Sequence, residues 1–151
     1  MKQLDCSEVM AEVRLLTQIA PGTLKRVREL YIEAGWLNGD DDAAFLLPAL
    51  QNSCCTAGAF DENGELVGIG RALSDGCSDA YIQDVVVTAR CRKQGIGGAI
   101  IRCLVRDLRQ KGVDWIALVG EPGTENFYGG LGLKRQDGYV LWKIPGDFAE
   151  N

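Results

Sequence analysis

The sequence contains no histidine, and this single absence excludes several kinds of chemistry. Without an imidazole the chain cannot form a Ser-His-Asp or Cys-His nucleophile, a histidine-ligated metal site or a histidine pH switch. Its six cysteines include no CxxC pair, so neither a zinc ribbon nor a thioredoxin-type motif is supported. We therefore expect no bound metal.

Long apolar stretches and a secretory leader are missing as well. The apolar run at residues 43–50 is far shorter than the ~20 residues of a membrane span, so we expect no membrane partner. The opening residues MKQLDC lack the apolar core of a signal peptide, and we expect a cytoplasmic protein whose thiols are free. The 151 residues, 46% hydrophobic and 25% charged, predict one globular domain over 1–151.

Charge is low overall and unevenly distributed. With 16 basic and 21 acidic residues the net charge is −5, which argues against a nucleic-acid partner. Residues 90–111 hold seven bases and one acid, so the rest of the chain, with nine bases and twenty acids, carries −11. This pattern favours a compact anionic ligand over a long polyanion. The alternative is a solvated basic helix face.

Hydrophobic periodicity predicts strands and helices arranged around one sheet. Strands are predicted at 11–18, 54–60, 66–73, 80–87 and 115–119, with closing strands at Leu133 and 139–144. Helices are predicted at 21–34, 43–51, 95–111 and 124–130. The strands at 54–60 and 66–73 form a hairpin around the turn Asp61-Glu62-Asn63-Gly64. The predicted fold class is α/β (α+β), a sandwich built on one mixed sheet.

The segment 84–98 carries the strongest chemical signal, because a strand ends there, a loop turns and a long helix begins. The first N–H groups of a helix lack intrahelical partners and lie at the positive end of its dipole, which suits a phosphate. Three glycines at 95–98 let an anion approach the backbone closely, and Arg92 and Lys93 add positive charge.

Two common nucleotide motifs are excluded in this segment. No GxxxxGK[ST] string occurs, and the GxGxxG fingerprint would require glycine where Ile100 stands. A third pattern, R/Q-x-x-G-x-G/A, is met by Arg92-Lys93-Gln94-Gly95-Ile96-Gly97. Together with Asp84, Val85 and Val87 before it, and Phe127-Tyr128-Gly129-Gly130-Leu131-Gly132-Leu133 after it, the chain resembles the GNAT superfamily of acetyl-CoA-dependent N-acetyltransferases.

This resemblance covers nearly the whole chain and implies a fold, an activity and a cofactor. The fold would be a single GNAT-like domain with a mixed, mostly antiparallel sheet of about six to seven strands and about four helices. The enzyme would be an acyltransferase that uses acetyl-CoA, releases CoA and acetylates a primary amine in a ternary complex. A non-catalytic acyl-CoA-binding module is the alternative, and transfer to an alcohol or of a longer acyl group stays open.

The resemblance also implies residue roles. The backbone of Val85, Val86 and Val87 would hold the pantetheine arm, with the Val85 N–H facing the acetyl oxygen. Tyr128 would protonate the departing thiolate. The remaining cofactor contacts would come from the pyrophosphate loop and the later motif: Arg92, Lys93, Gln94, Gly95, Ile96, Gly97, Gly98, Asn126 and Tyr128 itself.

Asp84 is the only charged residue of the predicted strand 80–87, and a carboxylate inside a sheet needs a partner or a purpose. It could receive the amine proton or hold a cationic substrate. The alternative is an ion pair with Arg71 or another sheet residue. Gln83 stands where some relatives carry a glutamate base, and an amide cannot act as one; Glu33 is a weaker candidate.

The acceptor is the least determined part of the prediction. Tyr31, Trp36 and Tyr81 are weak candidates for substrate contacts, with a plain core role as the alternative. The acidic body favours a cationic amine. A small-molecule amine and a protein lysine are not separated by the sequence, and a homodimer is an open possibility for the assembly.

Overall fold

A computed structural model describes residues 11–150 of the chain. These residues form two compact units, which divide between Leu118 and Val119.

The first unit is built on one five-stranded sheet in the order β1-β2-β3-β4-β5. The strands are β1 (Glu12–Leu15), β2 (Cys55–Phe60), β3 (Leu66–Ser74), β4 (Asp79–Val87) and β5 (Trp115–Leu118). The first four are antiparallel neighbours, and β5 runs parallel to β4. The helices of this unit are α1 (Pro21–Glu33), α2 (Leu46–Gln51) and α3 (Ile96–Gln110), and a 3-10 turn (Ala89–Cys91) precedes α3. The predicted α/β class and mixed, mostly antiparallel sheet are confirmed.

Helix α3 packs on one face of the sheet through the apolar stripe that the sequence predicts. Its four stripe positions are buried: Ile96, Ile100, Leu104 and Leu108. Glycine at two positions of β3 allows this close approach, because a Cβ on Gly70 would lie 2.8 Å from Cγ2 of Ile100 and one on Gly68 would lie 3.0 Å from its Cδ1. Helix α3 is therefore held directly against the central strand.

Helices α1 and α2 cover the opposite face. Val27, Leu30 and Tyr31 of α1 are buried in a cluster with Leu46 and Leu50 of α2 and with Ile69 and Val86 of the sheet. Residues that alternate along a strand point to opposite faces, so Ile69 faces α1 while its neighbours Gly68 and Gly70 face α3. The first unit is thus a three-layer sandwich. Its sheet, β4 included, lies between α3 on one face and α1 and α2 on the other.

The second unit contains one helix, α4 (Glu125–Gly130). The closing strands predicted at Leu133 and 139–144 are wrong: within 131–150 the structure has no strand, and Tyr139, Val140, Leu141, Trp142 and Ile144 are all exposed. An apolar, β-branched run gives strand propensity, but a strand forms only with a partner ladder. The described residues therefore contain five strands, fewer than the six to seven expected. No helix among residues 11–150 is long and apolar enough to cross a membrane.

Candidate active site

The far half of β4 presents an open backbone edge. β5 pairs only with the first half of β4, from Asp79 opposite Trp115 to Ile82 opposite Leu118. β5 ends there, whereas β4 continues to Val87. On the β5 side, residues 83–87 thus have no strand neighbour anywhere in 11–150. An extended ligand can add to such an edge as a further strand, using main-chain hydrogen bonds.

A β-bulge interrupts β4 at this edge. Ile69 pairs with Val86 and Arg71 pairs with Gln83, so one residue of β3 faces two of β4, Asp84 and Val85. Asp84 has a positive φ of 56°, in the left-handed region that non-glycine residues rarely occupy. Such a conformation costs on the order of 1–3 kcal/mol and persists only where neighbouring contacts enforce it.

Two partners hold Asp84 in place. The Tyr31 hydroxyl donates to its Oδ2 at 2.8 Å, and Nε of Arg71 donates to the same oxygen at 2.7 Å. Arg71 also donates to Oγ of Ser53 at 3.3 Å. The ion pair with Arg71, which the sequence leaves as the alternative for Asp84, is therefore formed. Burial and the Asp84 carboxylate raise the pKa of Tyr31 far above its ordinary value, so its hydroxyl remains a donor.

The loop after β4 makes a tight turn at the start of α3. Lys93 (φ 61°) and Gly95 (φ 80°) are both left-handed, and Gly95 directly precedes the helix. The Gly95 carbonyl accepts the first intrahelical bond, from the Ala99 N–H at 3.0 Å. The N–H groups of residues 96–98 therefore have no acceptor within the helix. Such a turn at a helix N-terminus makes a concave anion site.

The basic residues of 90–111 are more dispersed than the sequence suggests. Arg90 is bound to Asp61 of the β2–β3 turn at 3.1 Å, and Lys111 pairs with Asp107. Three further arginines lie on the exposed side of α3: Arg102, Arg106 and Arg109. Arg92 and Lys93 stand between the 3-10 turn and α3. The alternative of a solvated basic helix face thus holds for α3, and the predicted anion site would consist mainly of main-chain groups.

Glu33, at the end of α1, contacts the beginning of the loop. Its carboxylate accepts from Oγ1 of Thr88 at 2.8 Å and from the Ala89 N–H, and it lies 3.9 Å from Nη2 of Arg92. Nε of Arg92 donates to the Val87 carbonyl at 2.9 Å. Burial alone would raise the pKa of Glu33, but the two hydrogen bonds outweigh it and lower that pKa. The Glu33 carboxylate is thus occupied by these contacts and is not a free base.

The three weak acceptor candidates fall into two environments. Tyr31 is buried, and Trp36 packs edge-on against it with ring centroids 5.1 Å apart. Tyr81 is 46% exposed and packs edge-on against Trp115 at 5.4 Å. The core alternative describes Tyr31 and Trp36 well, whereas Tyr81 offers an aromatic surface. A contact with an acceptor stays a prediction for all three.

In the second unit, Asn126 and Tyr128 lie on α4. The Tyr128 ring packs edge-on against Phe127, with centroids 5.0 Å apart, and a Cβ on Gly120 would lie 3.3 Å from a Tyr128 ring carbon. Burial, and secondarily the charge of Glu121, raise the pKa of Tyr128. The phenol therefore keeps its proton at neutral pH, as a proton donor must. The cofactor and acid roles of these two residues remain predictions.

Sequence reasoning missed two of the contacts that shape the site. One is the link from Arg71 to Ser53, and the other is the hold of Glu33 on Thr88 and Ala89. Glu33 and Thr88 are 55 positions apart, so no local spacing reveals them. The one available signal was the placement of Tyr31 and Glu33 in the last turn of a helix that packs beside the loop.

Comparison with known proteins decides the family. A sequence model described as the acetyltransferase (GNAT) family matches residues 24–133. The chain belongs to the GNAT acetyltransferase family. Its resemblance to that family is thereby confirmed, and the expected enzyme class and cofactor, acyltransferase and acetyl-CoA, are those of the family.

Individual relatives agree with this assignment. Serotonin N-acetyltransferase 2, chloroplastic, of Oryza sativa subsp. japonica is 46% identical over 75 residues, which are 50% of this chain and 38% of that protein. An uncharacterized N-acetyltransferase of Pyropia yezoensis is 40% identical over 79 residues, 52% of this chain and 45% of that protein. This GNAT chain thus spans less than half the length of the two curated relatives.

Solved structures share the fold. A GNAT family acetyltransferase from Streptococcus pneumoniae TIGR4 has a TM-score of 0.75 at 24% identity, over 91% of this chain and 100% of that one. An aminoglycoside N-acetyltransferase in complex with CoA has a TM-score of 0.70 at 17% identity, over 90% and 95%. At these identities the likeness shows the GNAT fold alone.

Proposed function

We propose that this GNAT protein transfers the acetyl group of acetyl-CoA to a primary amine of a small molecule, by direct attack in a ternary complex. The observation that carries the proposal is the continuity of residues 83–98. An open strand edge, a bulge and the N-terminus of α3 follow one another along this stretch.

The residues present fit the cofactor in two ways. The open edge at 83–87 offers main-chain groups to an extended arm, and the N–H groups at 96–98, which lack an acceptor within the helix, suit a pyrophosphate. Lys93 accepts a left-handed conformation without being glycine, and such strain is concentrated at ligand sites. Arg92 and Lys93 add the charge that a diphosphate requires.

The chain's own residues then have separate tasks. Acetyl-CoA would supply the acetyl group as an activated thioester. The Val85 N–H, in the bulge, would donate to the acetyl oxygen where negative charge develops. Tyr128, whose raised pKa keeps its proton in place, would donate that proton to the departing sulfur. Backbone groups of Val85 and Val87 would hold the arm that carries the thioester.

Asp84 fits an anchor better than a base. Its Oδ2 already accepts hydrogen bonds from Tyr31 and Arg71, so this oxygen is occupied by two donors. The side chain is nevertheless 28% exposed, so part of the carboxylate faces outward. We propose that it orients a cationic amine and that the amine proton leaves through water.

An amine acceptor agrees with the names of similar proteins. The rice relative is called a serotonin N-acetyltransferase, and the CoA-bound structure is an aminoglycoside N-acetyltransferase. Both names describe amines that carry positive charge at neutral pH. The −11 charge outside residues 90–111 would attract such molecules.

Calorimetric titration with acetyl-CoA, with NADH and ATP as controls, tests the cofactor assignment. We expect binding to acetyl-CoA that weakens with salt, because a diphosphate is bound. Gly97→Glu places a side chain and a negative charge at the anion site and should abolish the heat of binding. Gln110→Glu makes the same charge change at the exposed far end of α3 and should bind normally. Equal binding by both variants would refute the loop assignment.

Turnover separates the enzyme from an acyl-CoA-binding module. The folded protein is incubated with acetyl-CoA and a panel of serotonin, an aminoglycoside, a polyamine and a lysine peptide. Products are followed by mass spectrometry, because the free thiol of Cys77 is exposed and would react with thiol reagents. An acetylated amine supports the proposal. Tight acetyl-CoA binding with no product from any amine would favour the binding module.

A further inference from the structure

Glu33 touches the cofactor loop from outside it and from a different layer of the fold. It is the last residue of α1, a helix that packs on the sheet through Val27, Leu30 and Tyr31. Its carboxylate reaches the segment between β4 and α3, where it meets the Thr88 hydroxyl, the Ala89 N–H and the guanidinium of Arg92. All three partners lie between the open strand edge and the anion site.

The contact fixes the point at which the chain leaves β4. The Thr88 N–H still donates to the Val67 carbonyl at 2.8 Å, as part of the sheet, while its hydroxyl donates to Glu33. The Ala89 N–H opens the 3-10 turn (Ala89–Cys91) and donates to the other oxygen of Glu33. One carboxylate thus binds the residue that follows β4 and the first residue of the 3-10 turn together.

Glu33 also limits where Arg92 can point. Nε of Arg92 donates to the Val87 carbonyl, and its terminal Nη2 lies 3.9 Å from Glu33. Arg92 is 52% exposed in its side chain, so without these contacts it would sample many rotamers. The carboxylate therefore orders a charged group that stands beside the predicted pyrophosphate position.

We propose that Glu33 is a positioning residue for the cofactor, which preorganises the segment 88–92 so that the loop amides and Arg92 meet the pyrophosphate of acetyl-CoA. This inference rests on the proposed function. It gives α1 a second task besides supplying Tyr31 to Asp84. The same helical turn orders the bulge through Tyr31 and the loop through Glu33.

The test compares acetyl-CoA affinity and turnover across matched variants of the full chain. Glu33→Ala removes every contact and should raise the Kd for acetyl-CoA about tenfold or more, because charge-assisted hydrogen bonds are lost. Glu33→Gln keeps one acceptor oxygen and should restore part of the affinity. With saturating acetyl-CoA, kcat should change less than about threefold, since Glu33 touches no reacting atom.

The control is Glu29→Gln on the same helix. Glu29 pairs with Arg26 and lies outside the loop contacts, so this variant should bind acetyl-CoA as the wild type does. Thr88→Val removes one donor and should weaken binding by itself. Combined with Glu33→Gln it should cost less than the product of the two single effects, because both remove the same hydrogen bond.

The outcomes separate this inference from the proposed function. If the wild type does not bind acetyl-CoA, the proposed function fails. If the wild type binds and turns over but Glu33→Gln and Thr88→Val bind equally well, the positioning role of Glu33 is refuted. A loss of kcat at saturating cofactor with unchanged Kd would likewise overturn it. If Glu33→Ala does not fold, the Kd values of Thr88→Val and Glu33→Gln for acetyl-CoA decide the test.

Discussion

One oxygen atom, Oδ2 of Asp84, accepts hydrogen bonds from two side chains that belong to different layers of the fold. Tyr31 reaches it from α1 and Arg71 from β3. Both bonds act on a residue whose backbone is left-handed at φ 56°. The side-chain contacts thereby oppose the local backbone preference, and the bulge depends on them.

Removal of Arg71 should accordingly weaken the fold. Arg71→Met leaves the half-buried Asp84 carboxylate without its charged partner, and we expect a loss of about 1–3 kcal/mol in the free energy of unfolding, measured by urea titration. Ser53→Ala removes only the weaker contact of Arg71 and should cost much less. Equal stability of Arg71→Met and the wild type would show that the ion pair contributes nothing net.

Tyr128 allows a sharper kinetic prediction at the same scale. Tyr128→Phe should lower kcat by about 10²-fold, the lower end for loss of a general acid, and leave the Kd for acetyl-CoA within about threefold. Because burial raises the pKa of Tyr128, kcat should show no decline from phenol ionisation up to about pH 10, the ordinary value. Tyr139→Phe, at an exposed tyrosine, is the control. An unchanged kcat in Tyr128→Phe would remove the acid role.

At the scale of elements, the packing of α3 on β3 determines where the anion site lies. Gly70→Ala would bring a Cβ to 2.8 Å from Ile100, and we expect it to cost about 1–3 kcal/mol by overpacking. Gly22→Ala in α1 meets nothing within 4 Å and should be neutral or slightly stabilising. Both are measured by thermal unfolding. A neutral Gly70→Ala would mean that α3 shifts freely on the sheet.

The elements also show what the sequence can and cannot predict. Apolar residues at every fourth position predict the bounds of α3 to within one residue at each end. A helix places Ile96, Ile100, Leu104 and Leu108 on one buried face. Strand propensity misled the prediction at 139–144, where no partner strand is present within residues 11–150. Local pattern determines which face of an element is apolar, but it contains no information about what lies opposite.

The candidate site divides in the same way. Its main-chain part, the loop and the start of α3, follows from a short motif because glycines and a helix boundary are local features. Its side-chain part does not, because Tyr31 and Asp84 are 53 positions apart and Glu33 and Thr88 are 55 apart. The sequence could therefore name Asp84 without choosing between a base and an ion-paired residue.

For the whole molecule, the absence of histidine predicts an unusual pH profile of stability. No imidazole titrates between pH 5.5 and 8, so the urea midpoint should be nearly flat there. The Glu65 N–H and Arg90 lower the pKa of Asp61 against the effect of burial, and the contacts of Ala89 and Thr88 lower that of Glu33. Their stabilisation is complete above the unfolded values near about 4 and is lost as pH falls through the lower folded values.

The measurement is a series of urea titrations from pH 8 to pH 3. Glu33→Gln should lower stability near neutral pH and show a shallower loss on acidification, because one of the responsible carboxylates is gone. Glu62→Gln, at an exposed glutamate of the β2–β3 turn, should keep the wild-type slope. A midpoint that changes between pH 5.5 and 8 would point to a titrating group other than these carboxylates.

The open edge of β4 also has a consequence for handling the protein. A strand with unsatisfied main-chain groups is a template for edge-to-edge association, and sheets usually blunt it with a bulge or a charge. Here both devices coincide at Asp84, which kinks the strand and places a carboxylate beside the edge. The residue that kinks the open edge thus also opposes aggregation through that edge.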